Sequence, residues 1–205
     1  MKGHTAIKHN NFIYALGHLL FSLYFKVFFR WSFKGLENVP AEGPFIICSN
    51  HTSWFDPPLV GCMLPRKNKV FFMAKEELFD IIILGKIIRK MGAFPVKRDE
   101  ADRKAIAFAL KVLQEGNILA LFPEGTRSKD GSIGEPFQGP AMIALKSKKP
   151  VLPVAIKWPS RVFLPVKVNI GPPVVFDEER KIKKDLLDKT STKIMEEIKN
   201  LYRDL

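Results

Sequence analysis

The chain has 205 residues, 46% hydrophobic and 26% charged, which is the composition of one globular domain and excludes a disordered chain or a disulfide-stapled mini-protein. Its two cysteines, Cys48 and Cys62, form no disulfide framework and no C-x-x-C pair, so the sequence gives no sign of an oxidising compartment or a structural zinc site. The formal net charge of +12 favours partners that carry phosphate: nucleic acid, lipid headgroups or small substrates.

The positive charge is unevenly distributed along the chain. Residues 177–205 hold eight basic and eight acidic side chains, so the excess lies in residues 1–176. The first 34 residues hold five basic side chains and no acidic one. The C-terminal segment is therefore predicted to be a charge-balanced, solvated helix and not a basic tail.

The N-terminal segment predicts a membrane-associating helix. From residue 12 to residue 29 it is apolar except for His18, Ser22 and Lys26, which together with Arg30 are spaced four apart and form one polar stripe on a helix. A run of about 18 residues is near the lower limit for a membrane span, which favours an in-plane or re-entrant amphipathic anchor with basic residues at the headgroups. A helix buried in the domain core is the alternative. We therefore assign residues 1–34 to a membrane-associating helical segment that holds the protein on the cytoplasmic face of the membrane, as a peripheral or monotopic protein.

The rest of the chain, residues 35–205, is predicted to be a single α/β domain. Residues 35–43 form a connector, after which short apolar runs alternate with helical patterns, as expected for a mostly parallel sheet flanked by helices. The predicted strands are Phe45–Ser49, Val70–Ala74, Ala93–Val96, Ile118–Phe122, Val151–Ile156 and Val166–Ile170. The predicted helices are Pro57–Leu64, Ala101–Glu115, Gly139–Lys146 and Glu178–Tyr202.

Several common catalytic motifs are missing from the sequence. It contains no G-x-S-x-G, Walker, G-x-G-x-x-G or H-E-x-x-H pattern. His51 is the only histidine outside the N-terminal segment, so a multi-histidine metal site is not expected and no metal is predicted.

The first candidate group is the loop from Asn50 to Asp56, directly after a predicted strand. In a continuous helix a spacing of five would hold His51 and Asp56 about 140° apart, so a turn must bring them together. Pro57 favours that turn and predicts that Asp56 is the N-cap of the following helix. A carboxylate that binds one imidazole nitrogen leaves the other free to accept a proton from a hydroxyl. The alternative is that Asp56 is only a cap and His51 only a surface residue.

The second candidate group, from Phe122 to Ser128, ends another predicted strand. Gly125 allows the backbone to approach an anion closely, Thr126 adds a hydroxyl, and Arg127 offers a planar fork that matches phosphate oxygens. Glu124 either orders Arg127 or accepts a hydrogen bond from a substrate hydroxyl. An ordinary solvated turn is the alternative.

The third group runs from Gly92 to Asp99 and places Lys97 and Arg98 at a strand end. If the strands are parallel, all three groups lie along the carboxyl edge of the sheet, where ligands bind in open α/β folds. The strand that contains Pro153 completes the pattern, either lining a groove or, as we prefer, lying in the core.

Taken in chain order, the runs at residues 50–56, 92–98 and 122–128 and the strand that contains Pro153 resemble, in their order and spacing, the four blocks of the glycerolipid acyltransferase family, specifically its bacterial 1-acylglycerol-3-phosphate acyltransferases. The resemblance covers about residues 35–175, and the second block departs from the common form at Pro95, Val96 and Lys97. It implies a glycerol-3-phosphate acyltransferase-like fold and transfer of an acyl chain from acyl-CoA or acyl-carrier protein to the 2-hydroxyl of lysophosphatidic acid, giving phosphatidic acid. It assigns catalysis to His51 and Asp56. It assigns the glycerophosphate site to Arg98, Glu124, Gly125 and Arg127, and the hydroxyl of Thr126 in the same loop is a further candidate for that site.

The chemistry of the residues agrees with that assignment. A glycerol hydroxyl needs a base to become a nucleophile, whereas a thiolate is a good leaving group. The ordinary pKa of histidine suits it to accept the hydroxyl proton near neutral pH. We expect direct transfer without a cofactor, with lysophosphatidic acid, an acyl thioester and an anionic membrane surface as partners and no nucleic acid. The alternatives are transfer to another lysolipid, a non-catalytic basic module that binds membrane or nucleic acid, and a hydrolase with Ser53 or Cys48 as nucleophile.

Overall fold

The structure is a computed structural model that describes residues 9–97, 102–128, 130–176 and 181–205. These residues form a seven-stranded sheet in the order β1-β7-β6-β2-β5-β3-β4. All neighbouring strands are parallel except β6 and β7, which are antiparallel. The strands are β1 Ser32–Lys34, β2 Ile46–Ser49, β3 Val70–Lys75, β4 Ala93–Val96, β5 Ile118–Leu121, β6 Val151–Lys157 and β7 Lys167–Ile170.

Helices cover both faces of the sheet, which confirms the predicted α/β class. The α-helices are α1 Asn11–Phe28, α2 Asp56–Met63, α3 Ile82–Lys90, α4 Arg103–Gln114, α5 Gln138–Ser147 and α6 Lys184–Arg203, with short 3-10 helices at Leu36–Asn38 and Glu76–Phe79. The six predicted strands and four predicted helices are present, with ends shifted by a few residues where the predicted ends can be compared. The predicted starts at Ala101 and Glu178 lie outside the described residues, and within the described residues α4 begins at Arg103 and α6 at Lys184. β1 and α3 were not predicted from the sequence.

The core lies in two layers on either side of the sheet. Every residue of β2 is buried, as expected for a strand with a parallel neighbour on each side and helices above and below. One layer joins the sheet to α1 and α2 through Phe25, Ile47 and Leu59. The other joins it to α4, α5 and α6; its members include Cys48, Val112, Ile143 and Ile194.

Pro153 lies in β6, which has β2 on one side and β7 on the other, so the preferred core interpretation of this strand is correct. Proline lacks a backbone N–H but keeps its carbonyl, and the Pro153 oxygen accepts a hydrogen bond from the Gly171 nitrogen at 2.9 Å.

Helix α1 packs on the domain in an orientation that the polar stripe did not predict. His18 Nε2 donates to the Leu64 carbonyl oxygen at 3.0 Å, and the Ser22 hydroxyl donates to His18 Nδ1 at 3.4 Å, so part of the stripe faces α2. Tyr14 and Phe25 are buried on the same side. The outward face is apolar and exposed at Phe12, Leu16, Leu19, Leu20, Leu23 and Val27.

Among the described residues, α1 is the one helix long and apolar enough to cross a membrane. β1 also lies within residues 1–34, yet it pairs with β7 in the domain sheet. The division of the chain at residue 34 stays a prediction.

Candidate active site

Two of the three candidate groups meet at the carboxyl edge of the sheet. β2 leads into His51 and β5 leads into Glu124, and these strands are parallel neighbours with Cys48 paired to Leu121. β4 lies two strands further along and ends next to Lys97. Arg98 lies outside the described residues, so its predicted place in the site stays a prediction.

His51 and Asp56 are in direct contact. His51 Nδ1 lies 2.8 Å from Asp56 Oδ2, and Asp56 is completely buried. The carboxylate accepts three further hydrogen bonds: Oδ2 from the backbone nitrogens of Thr52 and Ser53, both at 2.7 Å, and Oδ1 from Trp158 Nε1 at 2.6 Å. This arrangement compensates a buried carboxylate and orients the imidazole.

The prediction that Asp56 is the N-cap of a helix is wrong. α2 begins at Asp56 itself, with Phe55 in the cap position and proline in the first turn. Because the Asp56 carboxylate is held by the Thr52 and Ser53 nitrogens, it points back into the loop and not onto the amides of α2.

The His51 ring is stacked on Phe122, with centroids 4.2 Å apart and planes at 21°. Since Nδ1 binds Asp56, Nδ1 carries the proton and Nε2 is the basic nitrogen. Within the described part of the chain Nε2 makes no hydrogen bond, and His51 lines a large cavity. The ring is therefore oriented for proton transfer at Nε2.

Glu124 fixes the backbone of His51 through hydrogen bonds. Glu124 Oε1 accepts a hydrogen bond from the His51 nitrogen at 2.9 Å, and Oε2 accepts one from the Gly134 nitrogen at 3.0 Å. The same loop binds the His51 carbonyl oxygen through the Ser128 nitrogen at 2.8 Å. Glu124 is buried, and each of its carboxylate oxygens accepts a hydrogen bond from a backbone nitrogen.

Arg127 and Thr126 are exposed beside this buried carboxylate. The Arg127 guanidinium carbon lies 3.7 Å from the centroid of the Trp54 ring, a cation–π contact that fixes its position above the histidine loop. Gly125 has φ +66°, and a Cβ there would lie 2.7 Å from the Phe137 ring, so only glycine fits.

The cavity beside His51 has a volume of about 740 Å³. Its polar and charged lining includes His51, Lys75, Lys97 and Arg127, whereas most of the remaining lining is apolar, from strands, the Glu76–Phe79 turn, α4 and α5. A cavity lined by several cationic side chains and by a mostly apolar surface suits an amphipathic ligand. The apolar lining includes Met73, Leu78, Val96, Ile106, Leu121, Met142 and Ile143.

The two candidate nucleophiles, Cys48 and Ser53, lack the features of an activated nucleophile. Burial raises the pKa of the Cys48 thiol to about 12, so it stays protonated and unreactive. The Ser53 hydroxyl oxygen accepts a hydrogen bond from the Phe55 nitrogen at 3.1 Å. No group of three His, Cys, Asp or Glu side chains in the described ranges is arranged to hold a metal ion.

Sequence reasoning missed three contributors to the site. Trp158 follows β6, 102 residues from the Asp56 that it binds, and no motif marked it. Trp54 lies inside the first motif, and its aromatic character was the available signal. Phe137 reaches the site because its nitrogen donates to the Pro123 carbonyl oxygen at 2.8 Å.

Comparison with known proteins adds independent findings. Residues 30–157 match a family model described as Acyltransferase. The 1-acyl-sn-glycerol-3-phosphate acyltransferase of Bacillus subtilis is 36% identical over 126 residues, which are 60% of this chain and 61% of the relative. That of Streptococcus pneumoniae is 28% identical over 188 residues, 85% of this chain and 69% of the relative. The matched segment therefore spans about three fifths of the length of the Bacillus relative.

A solved structure has a similar fold. The crystal structure of the 1-acyl-sn-glycerophosphate (LPA) acyltransferase PlsC from Thermotoga maritima aligns with a TM-score of 0.66 and 28% identity. The alignment covers 92% of this chain and 78% of that chain.

Proposed function

Since the chain belongs to the acyltransferase family, as its four sequence blocks predict, we propose that it transfers an acyl chain from acyl-CoA or acyl-carrier protein to the 2-hydroxyl of 1-acylglycerol-3-phosphate, giving phosphatidic acid. The names of the relatives support the acceptor. The observation that carries the proposal is the position of His51: one nitrogen is bound by a buried carboxylate, and the ring lines an apolar cavity that Arg127 also lines.

In the proposed reaction His51 is the general base. Nε2 accepts the proton of the 2-hydroxyl as its oxygen attacks the thioester carbonyl carbon, and the C–S bond then breaks. The departing sulfur takes the proton back from the imidazolium, so the enzyme returns to its starting state. Asp56 stabilises the positive imidazolium, and positioned proton transfer of this kind typically contributes about 10²–10⁴ in rate.

Arg127 supplies the cation for the acceptor phosphate. Its guanidinium is exposed and held over Trp54, so its donors are available for a bidentate contact. Arg98, Gly125 and Thr126 complete the predicted phosphate site. The proposed task of Glu124 is to hold the His51 backbone, because its two oxygens are engaged by the His51 and Gly134 nitrogens.

The acyl chain of the thioester fits the apolar part of the cavity, where it leaves water. The reaction requires no cofactor beyond the thioester, because the thiolate is a good leaving group and the proton is returned by His51. The 2-hydroxyl of the acceptor and the thioester carbonyl then meet at the mouth of the cavity, beside His51.

The proposed location is the cytoplasmic face of the membrane. The exposed face of α1 consists of large apolar side chains, and Lys26 and Arg30 are exposed at its C-terminal end. An in-plane helix of this kind binds an anionic bilayer in which both lysophosphatidic acid and its product reside.

The test uses the purified full chain with lysophosphatidic acid and, separately, acyl-CoA and acyl-carrier protein. Free thiol and phosphatidic acid should appear in equal amounts. If a different lysolipid is acylated faster, the acceptor is wrong while the reaction stands. If vesicles are bound but no thiol is released with any acceptor, the chain is a binding module and the proposal fails.

A further inference from the structure

Helix α3 exposes an unusual amount of aliphatic surface. In the segment Ile81–Ile87 the side chains of Ile82 and Ile83 are 75% and 73% exposed, and those of Ile81, Leu84 and Ile87 are also exposed. Within α3 only Gly85 is buried. Isolated exposed leucines are ordinary, but five neighbouring aliphatic side chains on one short element indicate a surface that contacts an apolar partner.

The packing of α3 explains why these side chains cannot turn inward. The helix rests on the preceding 3-10 helix, Glu76–Phe79, through the backbone of Gly85. A Cβ at Gly85 would lie 2.4 Å from the Phe79 carbonyl oxygen. Such a close backbone contact fixes the glycine side against the domain and the isoleucines away from it.

The charges on α3 indicate what the partner is. The helix contains Lys86, Arg89 and Lys90, all exposed, and no acidic residue. The Arg89 guanidinium carbon lies 4.5 Å from the Phe79 ring centroid, so its charge is held at the protein side of the helix. The aliphatic side chains of residues 81–84 and Ile87 together with the long cationic side chains of Lys86, Arg89 and Lys90 match the acyl region and the headgroups of an anionic bilayer, because such cations reach the interface from a partly inserted helix.

α3 also packs against α1, whose exposed side chains are apolar. The two helices are in contact, and a Cβ at Gly17 of α1 would lie 2.8 Å from the Met91 methyl carbon, directly after α3. One flat partner can therefore cover both elements. A lipid surface meets that requirement without any shape complementarity.

We propose that Ile81–Ile87 inserts into the acyl region of an anionic membrane as a contact separate from α1. Leu78 lies in the same 3-10 helix as Phe79 and lines the catalytic cavity. An inserted α3 therefore holds the cavity mouth against the bilayer and lets a lipid enter without crossing water. The membrane contact itself is independent of the proposed acyl transfer.

A site-specific fluorophore tests this insertion directly. The native thiols of Cys48 and Cys62 are buried and have their pKa raised to about 12 and about 11, so a single introduced cysteine is labelled selectively. The polarity-sensitive dye NBD is attached to Ile83→Cys and, as the matched control, to Leu36→Cys. Leu36 is an exposed apolar residue beside β1, at the opposite end of the sheet from β4.

Vesicles of phosphatidylglycerol and phosphatidylcholine are added to each labelled protein. At position 83 we expect a blue shift and quenching by lipids spin-labelled in the acyl chain, and at position 36 neither. A position-83 label that stays in water while the protein sediments with vesicles overturns the proposal. So does a change at position 83 caused by acyl-carrier protein and not by vesicles, because the surface would then dock a protein.

A double variant supplies a second measurement. Ile82→Asp with Ile83→Asp should raise the vesicle Kd by roughly tenfold or more, since two aliphatic side chains no longer leave water. Its turnover of dispersed short-chain substrates should equal that of the parent, whereas Leu36→Asp should change neither quantity. An unchanged Kd in the double variant contradicts the proposal, whether or not the chain is an active acyltransferase.

Discussion

Glu124 Oε1 lies 2.9 Å from the backbone nitrogen of His51, so a carboxylate at the end of β5 holds the backbone at the end of β2. The second oxygen binds the Gly134 nitrogen at 3.0 Å, which ties a third segment to the pair. His51 is thus fixed twice, through its ring by Asp56 and through its backbone by Glu124. The runs at residues 50–56 and 122–128 are therefore joined by hydrogen bonds around the base.

Replacing Glu124 tests this positioning role. In Glu124→Gln the amide group meets a backbone N–H, so one of the two hydrogen bonds is lost. We expect kcat to fall by about tenfold, because an unpaired buried donor costs roughly 1–3 kcal/mol, while the KM for the acceptor stays unchanged. The control is Glu135→Gln, a side chain 91% exposed. A raised acceptor KM with normal kcat would instead assign Glu124 to substrate binding, as the sequence resemblance implies.

Arg127 should determine affinity for the phosphate-bearing acceptor. Arg127→Ala is expected to raise the KM for lysophosphatidic acid more than the KM for the thioester. Trp54→Ala should act in the same direction by roughly two- to fivefold, because an exposed cation–π contact contributes about 0.5–1 kcal/mol. Arg66→Ala, an exposed arginine that does not line the cavity, is the control. The opposite pattern would move Arg127 to the donor site.

The apolar cavity should set the preferred length of the acyl chain. Ile106 of α4 lines it, whereas Leu110, one turn later and also half-buried, does not. Ile106→Trp should therefore shift the kcat/KM optimum to shorter acyl thioesters, and Leu110→Trp should leave the optimum in place. A series of donors of increasing length measures both. An identical length profile in the two variants would show that the acyl chain lies elsewhere.

His9 should make the folded protein sensitive to acid. Burial lowers its pKa from 6.5 to about 4, and its Nε2 donates to the Val70 carbonyl oxygen at 3.1 Å. Between these two values the unfolded chain binds a proton that the folded chain does not. The contribution of His9 to the free energy of unfolding is therefore fully present above about pH 6.5 and is lost toward pH 4, by up to about 3 kcal/mol.

Urea unfolding of the parent and of His9→Asn measures this contribution. The asparagine keeps a neutral donor for Val70 but cannot titrate, so its free energy of unfolding should change less between pH 7 and pH 4.5. Equal losses in the two proteins would assign the acid sensitivity to other groups.

The fold and the pairing of His51 with Asp56 were predictable from the sequence because both depend on local signals. Apolar runs marked the strands, and the proline after Asp56 required a turn that returns its carboxylate to the histidine. The N-cap prediction failed because it considered only the backbone amides of the following helix. In the structure the Asp56 carboxylate instead accepts hydrogen bonds from the backbone nitrogens of Thr52 and Ser53, which precede it in the chain.

Features that depend on distant contacts were not predictable in the same way. Trp158 binds Asp56 across 102 positions, and the inward half of the α1 polar stripe depends on the carbonyl of Leu64. α3 was missed although its sequence is amphipathic. Which side of the helix faces the domain depends on the contact between Gly85 and the Phe79 carbonyl oxygen, which the sequence does not mark.

The most direct test of the proposed mechanism is the turnover of His51→Ala, measured as thiol release with lysophosphatidic acid and an acyl thioester. A general-base role for His51 predicts a loss of about 10²–10⁴ in rate, with vesicle binding and thermal unfolding close to those of the parent. Turnover at the parent rate in a folded, vesicle-bound His51→Ala protein would contradict it.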